Sequence, residues 1–314
     1  MVNDMNMYVG ITDFDWFNNL SGRNFDEVNF WKPGGQACFN AISTNDMFLF
    51  KLHAPYKKIV GGGFFIRYSI LPAYIAWETF GIKNGTNSYD ELNRRIIKYK
   101  HRNGMNENNT NIGCIILTEP FFFDEEDWIT PPEDWAGSIV QGKKYSTENT
   151  IGSRLYNDVI ERLKYKQNDR TDYRLDDIPT NRYGAEQIIL PRLGQGTFKI
   201  VITETYHRRC SISGEKTLPV LDAAHIKPFS CEGPNITRNG LLLRKDIHAL
   251  FDQGYITVND ELKVEVSHRL KEDFGNGKIY YEFHGKDLVI KPDNKLDNPD
   301  KDFLHWHNEN RFLG

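Results

Sequence analysis

The chain has 314 residues, 39% hydrophobic and 26% charged, with a formal net charge of −4. That length accommodates two domains of ordinary size, and the balance excludes a disordered chain. No apolar run approaches the ~18 residues of a membrane span, and MVNDMNMYVG has neither region of a signal peptide. Cys38, Cys114, Cys210 and Cys231 form no CxxC pair, which excludes a zinc ribbon and leads us to expect free thiols in a cytoplasmic protein.

Residues 1–145 read as strand-rich. MFLFKLHAP (47–55) and KIVGGGFFIRYSIL (58–71) are β-branched and aromatic runs separated by a short turn, the pattern of paired strands. The glycines of IVGGGFF are spaced neither as GxGxxG nor as a phosphate loop and are followed by more strand, so they predict a bulge or close backbone approach. SYDELNRRIIKYKHRN (88–103) predicts a helix. Ser88 is its N-cap with Glu91 three residues on, and Leu92, Ile96 and Tyr99 recur at helical spacing. After the polar loop GMNENNTN, IGCIILTEPFFF (112–123) predicts another buried strand. Residues 146–190 hold a helical piece, NTIGSRLYNDVIERLKYK, and then QNDRTDYRLDDIPTNRYG, which lacks apolar periodicity. We expect this passage to be a helical linker between a domain over 1–145 and another over 191–314.

The second region opens with TFKIVITETYHRRC (197–210), which places Phe198, Val201, Ile202, Thr205 and Tyr206 on one helical face. VLDAAHI (220–226) is short enough for a strand and is stopped by Pro228. A loop then leads to Asn239-Gly240 and the apolar LLL, and KDIHALFDQG predicts a short helix closed by Gly254. On that helix His248 and Asp252 are i and i+4, so imidazole and carboxylate share a face, a pairing that suits a divalent cation. If the hairpin packs across this helix, His225 projects toward the same metal and, neutral near pH 7, can take a proton from water. Asn239 is placed to hold the hairpin loop or to fix the His225 imidazole. Residues 192–245 carry nine Lys and Arg against four Asp and Glu, a basic surround consistent with a phosphodiester substrate.

The order His225, Asn239, His248 resembles the His-Asn-His motif of HNH endonucleases. The phrases RLGQGTFKIVITETYHRRCSISGEKTLPVLDAAHIKP and NGLLLRKDIHALFDQGYITV are similar to a bacterial group of HNH restriction endonucleases. So are the terminal YYEFHGKDLVIKP and LHWHNENRF and the leading YVGITDFDWF, EVNFWKPGG, MFLFKLHAP and IVGGGFF, so the resemblance spans nearly the whole chain. It implies an α+β protein with a C-terminal ββα-metal domain. In that domain His225 is the general base, Asn239 orients it or braces the loop, and His248 binds Mg²⁺ or Mn²⁺ with Asp252 as a further ligand. Ala224 stands where many members carry a metal ligand, and Asp222, on the same strand face, is the candidate substitute. Many members have a histidine where this chain has Asn235, which is therefore left out of the expected site. His305 and His307 in LHWHNE are expected to anchor the C-terminus.

The leading region is similar to the twisted β-barrels of the PUA/EVE superfamily, some of which enclose a flipped or modified base in an aromatic cage. Trp16, Trp31 and Trp77 are the candidate cage walls. The function implied is a metal-dependent DNA endonuclease of the restriction kind, acting on double-stranded DNA, with a preference for modified cytosine, as a homodimer. The alternative is a nucleic-acid binding or sensing protein with an inactive HNH scaffold, which the alanine at 224 and the negative net charge favour.

Overall fold

Alternation along the strands builds the first half of the chain. The computed structural model describes residues 5–34, 38–168 and 193–314. Two units separate in it, residues 1–191 and 192–314. The first carries β1 (Asn6–Thr12), α1 (Phe14–Leu20), β2 (Glu27–Lys32), β3 (Met47–Leu52), β4 (Ile59–Pro72), α2 (Ala73–Phe80), α3 (Tyr89–Arg102), β5 (Asn111–Phe122), β6 (Gly142–Ser146) and α4 (Thr150–Asn168). All of β3 is buried, and its residues split between two cores. Met47 and Leu49 join Met7, Val9 and Tyr145, whereas Phe48, Phe50 and Leu52 join Tyr8, Phe30 and the α1 residues Trp16, Phe17 and Leu20. A central strand covered on both faces has this largely apolar composition, and the period of two sorts its side chains.

The six strands run in the order β2-β5-β4-β3-β1-β6, with β1 and β3 parallel and the other pairs antiparallel. β2 and β6 are the two edges of this sheet, so the closed barrel expected for this region is corrected to an open mixed sheet. Closure requires the outermost strands to pair, and a local apolar period carries no information about that pairing. The expected elements at 47–55, 58–71, 88–103 and 112–123 appear as β3, β4, α3 and β5. Ser88 caps α3 by accepting from the Glu91 amide at 3.2 Å. At Gly62 a Cβ would lie 2.7 Å from the Phe48 carbonyl oxygen, and the β4–β5 register shifts just after it. The glycine run therefore serves close backbone approach and a bulge.

The passage 146–190, expected as a helical linker, begins with a helix that shares the first unit's core. Leu155 and Val159 of α4, one turn apart, are buried with Met7, Val9, Met47 and Leu49. The polar passage expected to join the domains lies, from residue 169 onward, outside the described residues.

The second unit carries α5 (Gln195–Thr205), β7 (Leu221–His225), β8 (Gly240–Arg244), α6 (Lys245–Asp252), β9 (Ile256–Val258), β10 (Val264–Val266), α7 (Arg269–Phe274), α8 (Lys278–Tyr281) and α9 (Lys301–Asn310). β7 and β8 form an antiparallel pair with Asp222 opposite Leu243 and His225 opposite Gly240. α5 packs on this hairpin and is buried nearly all round, through Phe198, Ile200, Val201 and Ile202. It ends at Thr205, and His207 and Arg208 just beyond it turn to positive φ. α6 turns its Ile247 and Phe251 into the unit's interior, both fully buried, which leaves His248 and Asp252 on the adjoining flank.

Leu155→Ala should lower the stability of the intact chain by about 2–5 kcal/mol, the cost of deleting a buried leucine side chain. Urea unfolding measures it, and a change under about 0.5 kcal/mol, typical of a surface site, would return this helix to a linker role.

Candidate active site

The β7–β8–α6 unit brings three of the expected side chains into one cluster. His248 stands between two carboxylates, with Nδ1 3.3 Å from Asp222 Oδ2 and Nε2 3.3 Å from Asp252 Oδ2. Lys199, from α5, holds the other oxygen of Asp222 at 3.1 Å. Exposure of the side chains rises outward, from 20% for His248 to 32% for Asp222 and 56% for Asp252. Burial pushes His248 toward its neutral form, but the hydrogen bond to Asp222 and the charges of Asp252 and Asp222 outweigh it and raise its pKa. Burial likewise favours the neutral form of the Asp222 carboxyl, yet His248 and Lys199 carry that group down to about 2. Among the described residues no three His, Cys, Asp or Glu side chains form a ready-made metal cage. The imidazole and carboxylates nevertheless offer the nitrogen and oxygen donors that a divalent ion takes.

His225 lies at the end of β7 under a different set of influences. Its ring stacks on Phe198, with centroids 4.0 Å apart and planes 11° from parallel. Its Nε2 is 2.7 Å from Asn235 Oδ1, and Asn235 Nδ2 donates to the Leu193 carbonyl at 2.7 Å. Burial lowers the His225 pKa, the Asn235 contact opposes this, the charge of His248 adds to it and that of Asp252 opposes it. The two histidines are thereby separated, with the His225 pKa lowered and the His248 pKa raised. Such a division of titratable groups marks acid–base sites.

Asn239 does not reach His225. Fully buried, it accepts from the Lys227 amide at 2.8 Å and donates to the carbonyls of Lys227 and Pro234 at 2.9 and 3.0 Å. Of the two uses expected for it, loop bracing is the one its contacts describe. Asn235, left out of the expected site, is the asparagine that meets the imidazole. Lys199 and Phe198, which in the sequence are only parts of a helix, complete the surroundings of Asp222 and His225. The loop phrase GPN carries Asn235 in plain view, but no spacing rule ties an asparagine to a histidine ten residues earlier.

α6 is fixed at both ends. Near its start Asp246 accepts a two-pronged contact from Arg244 at 2.6 and 2.7 Å and a third from the Tyr280 hydroxyl at 3.1 Å. Near its end Phe251 stacks on His307 of α9 at 3.8 Å, and His307 Nε2 lies 3.1 Å from the Phe251 carbonyl. His307 Nδ1 meets Thr257 Oγ1 at 2.8 Å, so this histidine is an internal anchor, whereas His305 is exposed beside Glu309.

In the first unit a cavity of about 740 Å³ is lined by Trp16, Trp31, Lys32, His53, Tyr99 and Lys100 among others. Trp31 presents its ring beside Tyr99 and donates its indole hydrogen to the Asn84 carbonyl at 3.0 Å. Trp16 is 3% exposed and is edge-packed between Phe30 and Phe50, so most of its ring belongs to the core. Trp77 lies on α2 and is not among the lining residues, so the three tryptophans do not form one cage. Lys100 donates to the carbonyls of Asn109 and Asn111, and burial lowers the pKa of both Lys32 and Lys100.

Residues 210–259 match the family model of the HNH endonucleases. That segment is an HNH endonuclease domain. It contains β7, β8 and α6, and with them His225, Asn239, His248 and Asp252. No curated protein matches the chain. Among solved structures, a mutant of ZmASCH from Zymomonas mobilis aligns at 9% identity and a TM-score of 0.32, covering 48% of this chain and 96% of its own. A modification-dependent TagI restriction endonuclease aligns at 13% identity and a TM-score of 0.29, covering 97% of this chain and 81% of its own. At those identities and scores neither likeness bears on function. Among the described residues no helix is long and apolar enough to cross a membrane.

His307 supplies a test of the anchor that holds α6. Burial carries its pKa from 6.5 down to about 4, against the pull of the Phe251 carbonyl and with help from the Arg311 charge. A histidine with a depressed folded pKa excludes a proton that the unfolded chain accepts. Its contribution is therefore complete above about 6.5 and is lost as pH falls toward about 4, a shift that amounts to about 3 kcal/mol. Thermal melts of His307→Gln should be flatter across that window than those of the wild-type chain, and parallel curves would remove His307 as the source.

Proposed function

We propose that the second unit hydrolyses DNA phosphodiester bonds with a divalent ion, His225 acting as general base. The observation that carries the proposal is a histidine on β7, pinned by Asn235 and Phe198, in the same β7–β8–α6 unit as a histidine–carboxylate pair on α6, inside the segment that matches the HNH endonucleases. Water gives a proton to His225 while its oxygen bonds to phosphorus. The opposite P–O bond breaks, and its electron pair leaves with the departing oxygen, which takes a proton from solvent. When bound, Mg²⁺ or Mn²⁺ stabilises the charge that builds on the phosphate and the leaving oxygen.

The residues divide naturally around such an ion. A ring can ligate through one nitrogen while the other donates to a carboxylate. The charge of Asp252 acts on His225, so the pair on the side of the base is His248 Nε2 with Asp252. Asp222 then orients His248 through Nδ1 instead of ligating, and Lys199 holds Asp222. Because the His248 pKa is raised, the ion competes with a proton, and its affinity should rise as pH is carried above the ordinary histidine value of about 6.5. Calorimetry with Mn²⁺ should detect binding that His248→Ala abolishes. Binding that survives His248→Ala would favour the alternative, a DNA-binding scaffold without this metal site.

We assign the chain to restriction of foreign DNA in the cytoplasm, with preference for DNA carrying modified cytosine. Its first-unit cavity offers Trp31 and Tyr99 for stacking and Lys32 for phosphate, a combination suited to one nucleotide drawn out of a duplex. One domain cuts one strand, so scission of both is assigned to a homodimer.

His225→Ala should reduce plasmid nicking by at least roughly 10²-fold, the contribution of a general base, while the chain still unfolds in one cooperative melt. Undiminished nicking with metal present would sink the assignment. Trp31→Ala should erase the difference in cleavage rate between unmodified and hydroxymethylated plasmid. Equal rates on both substrates by the wild-type chain would leave the nuclease standing and remove the modified-base reading.

A further inference from the structure

We infer that Asn235, and not the motif asparagine Asn239, is the positioning residue that directs the proton-accepting nitrogen of His225. The consequence for cleavage rests on the nuclease reading; the geometry does not.

The Leu193 carbonyl decides which way the Asn235 amide faces. A carbonyl oxygen only accepts, so the Asn235 atom 2.7 Å from it is the amide nitrogen. The amide oxygen is thereby turned toward His225, 2.7 Å from Nε2. An amide oxygen also only accepts, so Nε2 must carry the hydrogen. In the neutral ring Nδ1 then keeps the free lone pair and is the atom that receives a proton from water. A flip of the imidazole would put Cε1 where Nε2 now stands and so break this bond, and Phe198 lies flat against one face of the ring.

Asn239 is unavailable for the task because both ends of its amide are engaged with Lys227 and Pro234. Its bond to Pro234 instead fixes the residue directly before Asn235. Two asparagines thus share the work, one pinning the loop and the other, delivered by that loop, setting the base. Burial of His225 acts in the same direction, since it favours the neutral ring, which has one open lone pair.

Nitrogen-15 NMR of the intact chain, with the His225 signals identified by their loss in His225→Ala, reads the tautomer directly. The expected result is hydrogen on Nε2 in the wild-type chain and a growing share on Nδ1 in Asn235→Leu, which keeps the bulk and lacks the acceptor. In plasmid nicking with Mg²⁺, Asn235→Leu should lower kcat by at least roughly 10-fold with KM within about two-fold, a loss within the range of general-base catalysis. Asn235→Asp retains an acceptor oxygen and should keep the Nε2 hydrogen, but its charge favours the protonated ring, so it should recover part of that loss only as pH is raised. Hydrogen on Nδ1 in the wild-type chain, or an unchanged kcat in Asn235→Leu, would overturn the inference. Should the wild-type chain cleave nothing, the nuclease reading falls, and the tautomer of His225 still decides the inference. If Asn235→Leu does not fold, the wild-type tautomer and the behaviour of Asn235→Asp decide it.

Discussion

The hydrogen bonds of the Asn239 amide are made inside the protein, where water cannot replace them. They close the loop between β7 and β8 by tying Lys227 and Pro234 to the start of β8. A buried amide that lost these partners would incur a desolvation penalty of roughly 1–3 kcal/mol for each unsatisfied group. The loop therefore has one conformation rather than several. That conformation sets where Asn235 stands, hence the hydrogen position on His225, and the backbone bond from Ile226 to the Asn239 carbonyl holds the end of β7 beside it. The same hairpin is the floor on which α6 lies. Gly240 belongs to this constraint as well: a Cβ there would fall 2.3 Å from Ile202 and 2.9 Å from Phe198, the ring that backs His225.

Rigid placement matters because the two histidines must behave differently at one pH. His225 and His248 have the same side chain and the same ordinary pKa, and both are partly buried. Only their partners differ. An uncharged amide beside His225 leaves burial in command, whereas two carboxylates beside His248 reverse it. In the roles proposed for them, exchange of those partners would favour a protonated base and a neutral ligand, and a protonated base cannot take the proton from water. The polar contacts at the ends of α6 keep the partners from exchanging. Asp246 is committed to Arg244 and Tyr280, and His307 grips the carbonyl of Phe251, the residue next to Asp252.

Much of this is legible in the chain, for a definite reason. Strand alternation in MFLFKL, the Ser88 cap and the i, i+4 pair His248 and Asp252 are local relations, and local relations survive folding. The order His225, Asn239, His248 is legible because a strand, a loop, a strand and a helix follow one another without interruption. Contacts between elements that are distant along the chain stay hidden in it. Lys199 and Phe198 reach the site from α5, Asn235 comes from within a loop that has no period, and the edges of the six-stranded sheet depend on which strands pair. The tryptophans show the same limit. Trp16 and Trp31 occupy comparable sequence surroundings, yet one is closed into the core by Phe30 and Phe50 while the other faces the cavity.

Asp222 shows how a departure from a motif can be absorbed. With alanine at 224, the carboxylate stands two residues earlier on β7, which keeps it on the same strand face but displaces it along the strand by roughly 6–7 Å. From there it meets Nδ1 of His248 while Asp252, one helical turn beyond that histidine, meets Nε2. A single imidazole cannot offer both nitrogens to one ion, so the two carboxylates cannot be equivalent. The one whose charge reaches the base is suited to the ion, and the one clasped by Lys199, with its pKa already carried to about 2, is suited to hold the ring. In the proposed arrangement the relocated carboxylate supports the ligand histidine instead of ligating. The site keeps its chemistry because the histidine it supports keeps its place on α6.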